Sequence, residues 1–461
     1  MKYVYGVIIA IILFPSIVAA QHHHEQVADT VPQHNKIHKP QIDSSHAPGH
    51  MPAMHDVSGQ MPPMSHAFSL NLPMNRNGSG TGWLPDEAPM YGYMLHGKKW
   101  MYMLHGNLFL RYNHQDIGNA GSRGGSSFDA PNWVMGMAQR RIGKRGLLRF
   151  STMLSLDPVT VGGNGYPLLF QSGESYEGKP LVDRQHPHDL FAELSIGYTH
   201  MISKNVDVFA YFGYPGEPAL SGTAFMHRPS SLYNPEAPLG HHWQDATHIT
   251  FGVATAGFRI KNVKLEGSLF TGREPDEERY GFDKARFDSW SGRISYNPTR
   301  NIAIQVSQAY INSPELLHPG EDVRRTTASV IHAKRFTQGR MINSAVVWGY
   351  NNKGKDHREH SLLAESALTL DKNTVYGKYE FVEKSSEELQ LDENIYGHHT
   401  RFPVNAVTLG LNRQLANFGQ TILSLGTQGT LYAVPGKLAP LYGNTPWSWS
   451  IFLRVNPGLM R

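Results

Sequence analysis

The chain has 461 residues, with 25 histidines, 17 methionines, no cysteine and a formal charge of +4. The absence of cysteine excludes disulfide frameworks, thiolate zinc sites, iron–sulfur clusters and thiol nucleophiles together. Its 42 basic residues are scattered along the chain, which argues against a nucleic-acid partner, since such proteins gather Lys and Arg on one face.

Residues 1–20 read as a secretory signal. Lys2 precedes an apolar run from Val7 to Leu13, and Val18-Ala19-Ala20 places small residues before Gln21. That run is too short for a membrane-spanning helix, and no later stretch approaches 18 apolar residues. Export is expected. Residues 21–82 form a segment rich in His, Met and Pro that has too little apolar surface to repay ordering, so disorder is predicted. Its candidate metal ligands are His22, His23, His24, His46, His50, His55 and His66, interleaved with Met51, Met54, Met61 and Met64. Imidazole suits Cu(II), Zn(II) and Ni(II), whereas thioether suits Cu(I) and Ag(I). The mixture predicts a copper-collecting tail.

Residues 83–461 are predicted to form a β-barrel. Period-2 alternation marks sixteen strands at 99–112, 132–141, 146–156, 189–202, 205–213, 246–260, 262–272, 286–297, 300–312, 323–335, 340–351, 360–371, 373–383, 403–414, 418–432 and 446–455. Connections alternate between one to four residues and longer loops, reaching about 30 residues at 157–188 and 214–245. Keeping every tight turn at one end is the mark of an all-β, antiparallel, up-and-down transmembrane barrel. One face of each strand suits lipid and the other a polar lumen: Val263, Leu265 and Leu269 alternate with Lys264, Glu266 and Ser268, and Trp447, Trp449, Ile451 and Leu453 alternate with Ser448, Ser450 and Arg454. The expected surroundings are outer-membrane lipid and lipopolysaccharide, with the tail in the periplasm of a Gram-negative cell.

In the first strand, Trp100, Tyr102, Leu104, Leu108, Leu110 and Tyr112 should face lipid, which turns Met101, Met103, His105, Asn107 and Arg111 inward. Met135 and Met137 on the next strand then complete a soft patch beside His105. The two longest loops carry His186, His188 and Asp189, and His227, His241, His242, Asp245 and His248. If both loops fold inward, His186, His188, His241, His242 and His248 meet at one constriction, with Asp189 or Asp245 orienting a ring from behind. Loop 273–285 is acidic, with Glu274 among its carboxylates. No nucleophile elbow, phosphate-binding glycine loop or zinc-protease helix is present, so no enzyme is expected.

The order of signal, Met/His-rich segment and barrel resembles copper-resistance outer-membrane proteins of the CopB/PcoB type. The stretches Gly82-Trp83-Leu84-Pro85, Leu181 to Leu190, Ala224 to Arg228 and Leu239 to His248 are similar to a family of exported barrels that accompany heavy-metal efflux systems. The resemblance implies location and metal context, with copper or silver as ligand and periplasmic efflux or copper-oxidase components as partners; it adds no catalytic residue. The competing expectations are a porin-like channel or carrier for a small organic solute, and a plugged structural or adhesion barrel.

Overall fold

The structure is a computed structural model, and it describes residues 68–118, 121–354, 357–398 and 400–460. Sixteen strands make the wall: Met101–Gln115, Asn132–Ile142, Gly146–Leu154, Phe191–Ser203, Val206–Gly213, Val253–Ile260, Val263–Phe270, Ser289–Thr299, Ile302–Ile311, Val323–Thr337, Arg340–Asn352, Arg358–Leu370, Asn373–Ser385, Arg401–Phe418, Thr421–Ala433 and Trp447–Pro457. Each pairs antiparallel with its neighbour, and the last returns to the first with Leu108 opposite Val455 and His114 opposite Trp449. Closure removes both sheet edges, so every strand has a backbone partner on each side, as a hydrocarbon environment demands. No helix among the described residues is long and apolar enough to cross a membrane; strands do the crossing.

The seam is more elaborate than the alternation implied. The first strand pairs through Met101–Leu108 with Asn132–Gln139, but its upper part, Arg111–Gln115, pairs with a separate short strand, Gly125–Asp129. Ala130 and Pro131 divide those two partners, and Pro131 has no N–H to continue the ladder. At the tight-turn end another short strand, Tyr93–His96, pairs with Met101–Leu104. Tyr91 bridges Leu459 beside it, so the segment before the first wall strand clasps the chain beyond the last one.

Outward positions are apolar and inward ones polar, as alternation requires. Leu265 and Leu269 are exposed on the outer face, while Lys264, Glu266 and Ser268 between them are buried. The lumen is filled. Residues 68–92 pack inside its tight-turn end, held chiefly through their backbone: Arg149 donates to the Gly80 carbonyl (3.0 Å), Asn297 to that of Leu84 (2.9 Å) and Lys264 to that of Thr81. The predicted boundary at residue 83 therefore falls inside a packed segment, and residues 68–82 belong with the barrel rather than with a disordered tail.

Both long loops fold inward from the other end. The first contributes a hairpin of Tyr166–Tyr176 and Lys179–Gln185, whose Phe170 sits against Tyr432 and Tyr442 with ring centroids 5.4 and 4.1 Å apart. The second, between Gly213 and Val253, is anchored by Arg228, which pairs with Glu365 on the wall (2.8 Å) and Asp245 within the loop (3.0 Å). Wall charges thus serve as anchors for the inward loop, which explains why the lumen face is polar. The strand expected at 246–260 begins only at Val253, because Ala246–His248 is a 3-10 turn within the inward loop.

Candidate metal centre

The two inward loops bring five histidines together. His186 and His188 follow directly on the strand Lys179–Gln185, with Pro187 preventing its continuation. His241 and His242 begin a single helical turn, His241–Gln244, whose next residue is Asp245. The i,i+4 spacing puts Asp245 on the same face as His241, and His248 closes the following 3-10 turn. Arg325 and Asn351 from the wall both donate to the His242 carbonyl, at 2.6 and 3.1 Å, and fix the helical turn in place.

Ring centroids are 5.8 Å apart for His186–His241, 5.5 Å for His186–His242, 5.2 Å for His241–His242, 5.2 Å for His241–His248 and 5.5 Å for His188–His248. One ring nitrogen each from His186, His241 and His242 lie within 4.8 Å of one another. Every Nδ1 of the five has an oxygen partner. His188 reaches Asp157 (2.7 Å), His241 reaches Asp245 (2.7 Å), His248 reaches the Asp245 carbonyl (2.7 Å), His186 lies 3.1 Å from Glu174 and His242 lies 3.4 Å from Glu274. Every Nε2 is buried without a hydrogen-bond partner. With Nδ1–H donating to these oxygens, Nε2 carries the lone pair, which is how metal-ligating imidazoles are oriented.

The electrostatics agree. Burial, reinforced by the neighbouring rings and Arg279, holds His186 well below the usual imidazole range, and burial with His241 beside it does the same to His248. Burial also outweighs Asp245 to lower His241. His242 goes the other way: burial opposes its charge, but Glu274 and Glu174 raise it overall. Asp245 is driven well below the carboxylate range despite burial, by His241 and Arg228. Imidazoles with free Nε2 atoms and oxygen partners at Nδ1 form a donor set for a borderline divalent ion such as Cu(II), Zn(II) or Ni(II).

Asp245 takes the supporting role the sequence suggested. Asp189 does not; it turns to Arg279 (3.5 Å), and burial, opposed by that arginine, raises it to about 7. Asp157, Glu174 and Glu274 instead support His188, His186 and His242, and of these only Glu274 stands out in the sequence.

His227 lies elsewhere. It ends the 3-10 turn Phe225–His227, with its ring 4.6 Å from Trp133 and 5.8 Å from His105. Burial lowers it to about 4. Here the predicted soft patch does assemble: Met103 faces Met137 and His105 faces Met135 in the wall register. They line a cavity of about 100 Å³ together with Met226 from the inward loop and Met74 and Met90 from the segment below. Met101 is buried but does not line it. The predicted tail ligands His22, His23, His24, His46, His50, Met51, Met54, His55, Met61, Met64 and His66 lie outside the described residues.

No protein-family model and no curated protein matches the chain. Among solved structures it is similar to OmpT of Vibrio cholerae (8% identity, TM-score 0.42, covering 79% of this chain and 100% of that one). It is also similar to an anion-selective porin from Comamonas acidovorans (10%, 0.47, covering 78% and 100%). A third is Salmonella typhi OmpF in complex with daunomycin (6%, 0.47, covering 79% and 100%). These are likenesses of fold and assign no ligand. The closed wall, its apolar outer face and its alternating turns make this chain a sixteen-stranded β-barrel of the bacterial outer membrane.

Proposed function

We propose that this barrel binds a borderline divalent transition metal, Cu(II) foremost, at the five-histidine centre, and serves copper handling at the outer membrane. The observation that carries the reading is the set of five buried Nε2 atoms without partners, each on a ring whose Nδ1 already faces an oxygen. Buried polar atoms are paired in nearly all proteins, so a cluster of unpaired acceptors points to a missing partner. His186, His241 and His242 lie close enough to share one cation, and His188 and His248 stand beside them. The His/Met-rich tail precedes the first wall strand, and in this reading it collects metal on the periplasmic side, where efflux or copper-oxidase components operate. A diffusion channel is the weaker reading, because anchored loops and residues 68–92 occupy the lumen.

The test is metal content of the full-length protein in detergent after dialysis against Cu(II) or Zn(II). The triple variant His186→Gln, His241→Gln and His242→Gln should lose one equivalent per chain relative to wild type, with the tail contributing equally to both. Equal content in a folded triple variant refutes the reading.

A further inference from the structure

We infer that the methionine-lined cavity is a second site, chemically distinct from the histidine centre, that takes a soft monovalent cation, Cu(I) or Ag(I). Six methionines border it: Met74, Met90, Met103, Met135, Met137 and Met226. They come from three separate parts of the chain, namely the segment inside the tight-turn end, two adjacent wall strands and the inward turn Phe225–His227. Trp133 and His227 also border it, with their rings 4.6 Å apart, as do His105 and the neutral amides of Asn75, Asn77 and Asn456.

Three features favour an ion over packing. Methionine is the side chain best able to collapse into a gap, yet here six surround a space of about 100 Å³. No Asp, Glu, Lys or Arg is among the residues bordering it. A hard or divalent ion needs anionic oxygens in such a place, whereas a monovalent soft ion is matched by neutral sulfur. The indole of Trp133 adds an aromatic surface, the kind that attracts a desolvated cation.

The two chambers meet at one turn. Phe225 packs against His188, His241 and His248 with centroids 6.2, 5.4 and 6.1 Å away, while the next two residues, Met226 and His227, border the cavity. The lumen thus separates donors by softness across a single phenylalanine. This inference stands apart from the histidine reading, since it uses none of the five clustered imidazoles.

Silver ion is the probe, because it needs no reductant. The full-length protein in detergent is titrated with Ag(I) while tryptophan emission is followed; residues 1–82 contain no tryptophan, so the signal comes from the barrel. Wild type should show saturable quenching that is absent in Trp133→Phe. The variant Met135→Leu, Met137→Leu and Met226→Leu, which keeps volume, should bind one Ag(I) fewer and show at least a tenfold weaker quenching midpoint, with Cu(II) content unchanged. Unaltered silver content and midpoint in that variant overturn the inference. Should the triple variant fail to fold, Met137→Leu alone is decisive: a shifted midpoint supports the site and an unshifted one overturns it. Loss of Cu(II) with Ag(I) retained in the histidine triple variant would show the two sites to be independent.

Discussion

Asp245→Asn is the sharpest probe of the histidine centre. One carboxylate oxygen of Asp245 accepts from His241 Nδ1 at 2.7 Å, while the other accepts from the Phe225 amide at 2.8 Å and Arg228 at 3.0 Å. An asparagine has one acceptor and one donor, so it can serve only one side. If its oxygen stays toward Arg228 and the Phe225 amide, its NH₂ donates to His241 Nδ1. The His241 proton then moves to Nε2, and that nitrogen is no longer a ligand. If instead its oxygen stays toward His241, its NH₂ confronts a guanidinium and a backbone N–H. Either arrangement weakens the site. Loss of such a supporting contact costs about 10- to 100-fold in metal affinity, or about 1.4 to 2.7 kcal/mol at about 1.36 kcal/mol per decade. Arg228 keeps Glu365 at 2.8 Å, so the loop retains one buried anchor and the fold should survive. The measurement is a competition titration of Cu(II) at neutral pH on full-length chains whose nine tail histidines are alanine, so that only the barrel reports. An affinity within twofold of the parent, on a barrel of unchanged melting midpoint, would refute the assignment of Asp245 as the group that sets the His241 tautomer.

Wild type in a planar bilayer should give no steady conductance steps, whereas Arg228→Met, which strips Glu365 and Asp245 of their shared cation, should open intermittently; porin-like steps from wild type would contradict a filled lumen. Gly173→Ala should impair metal binding, because a Cβ there would stand 2.3 Å from His242 Nε2 and the residue sits at φ +111°; comparing Cu(II) affinity of the two chains checks this. Burial, opposed by Arg293, raises Glu217 from 4.5 to about 8. A carboxyl that holds its proton more tightly when folded loses stability as pH rises from about 4.5 to about 8. Glu217→Gln, which mimics the protonated acid, should therefore gain over wild type in melting midpoint between pH 5 and pH 9, and a pH-independent difference would sink the argument.

Much of the wall was legible because its signal is local. A strand with one face in lipid and one in a lumen must alternate, and positions such as Leu269 beside Ser268 show that at a glance. The interior was not legible in the same way. Residues 68–82 have no period of their own; their order comes from Arg149 and wall partners more than 60 positions away that take their backbone carbonyls. His227 shares its loop with His241, yet the turn Phe225–His227 places it on the opposite side of Phe225. Asp157 was invisible as a partner of His188 because 31 residues separate them; the Asp-Pro step at the foot of that long loop was its only local mark. The soft patch fared better, since Met103, Met135 and Met137 follow from strand pairing alone, whereas Met74, Met90 and Met226 arrive from segments without a readable period.

The segment inside the tight-turn end has a consequence for how the molecule can be built. Residues 68–92 precede the first wall strand, lie within the ring, and are clasped by Leu459 and Met460 beyond the last strand. The final zipper between Leu108–His114 and Trp449–Val455 is only seven residue pairs long. The ring is thus built partly from the inside: Gly92 and Met90 bond to Gly458 and Met460 beside that short zipper, so the segment within the lumen also holds the seam shut.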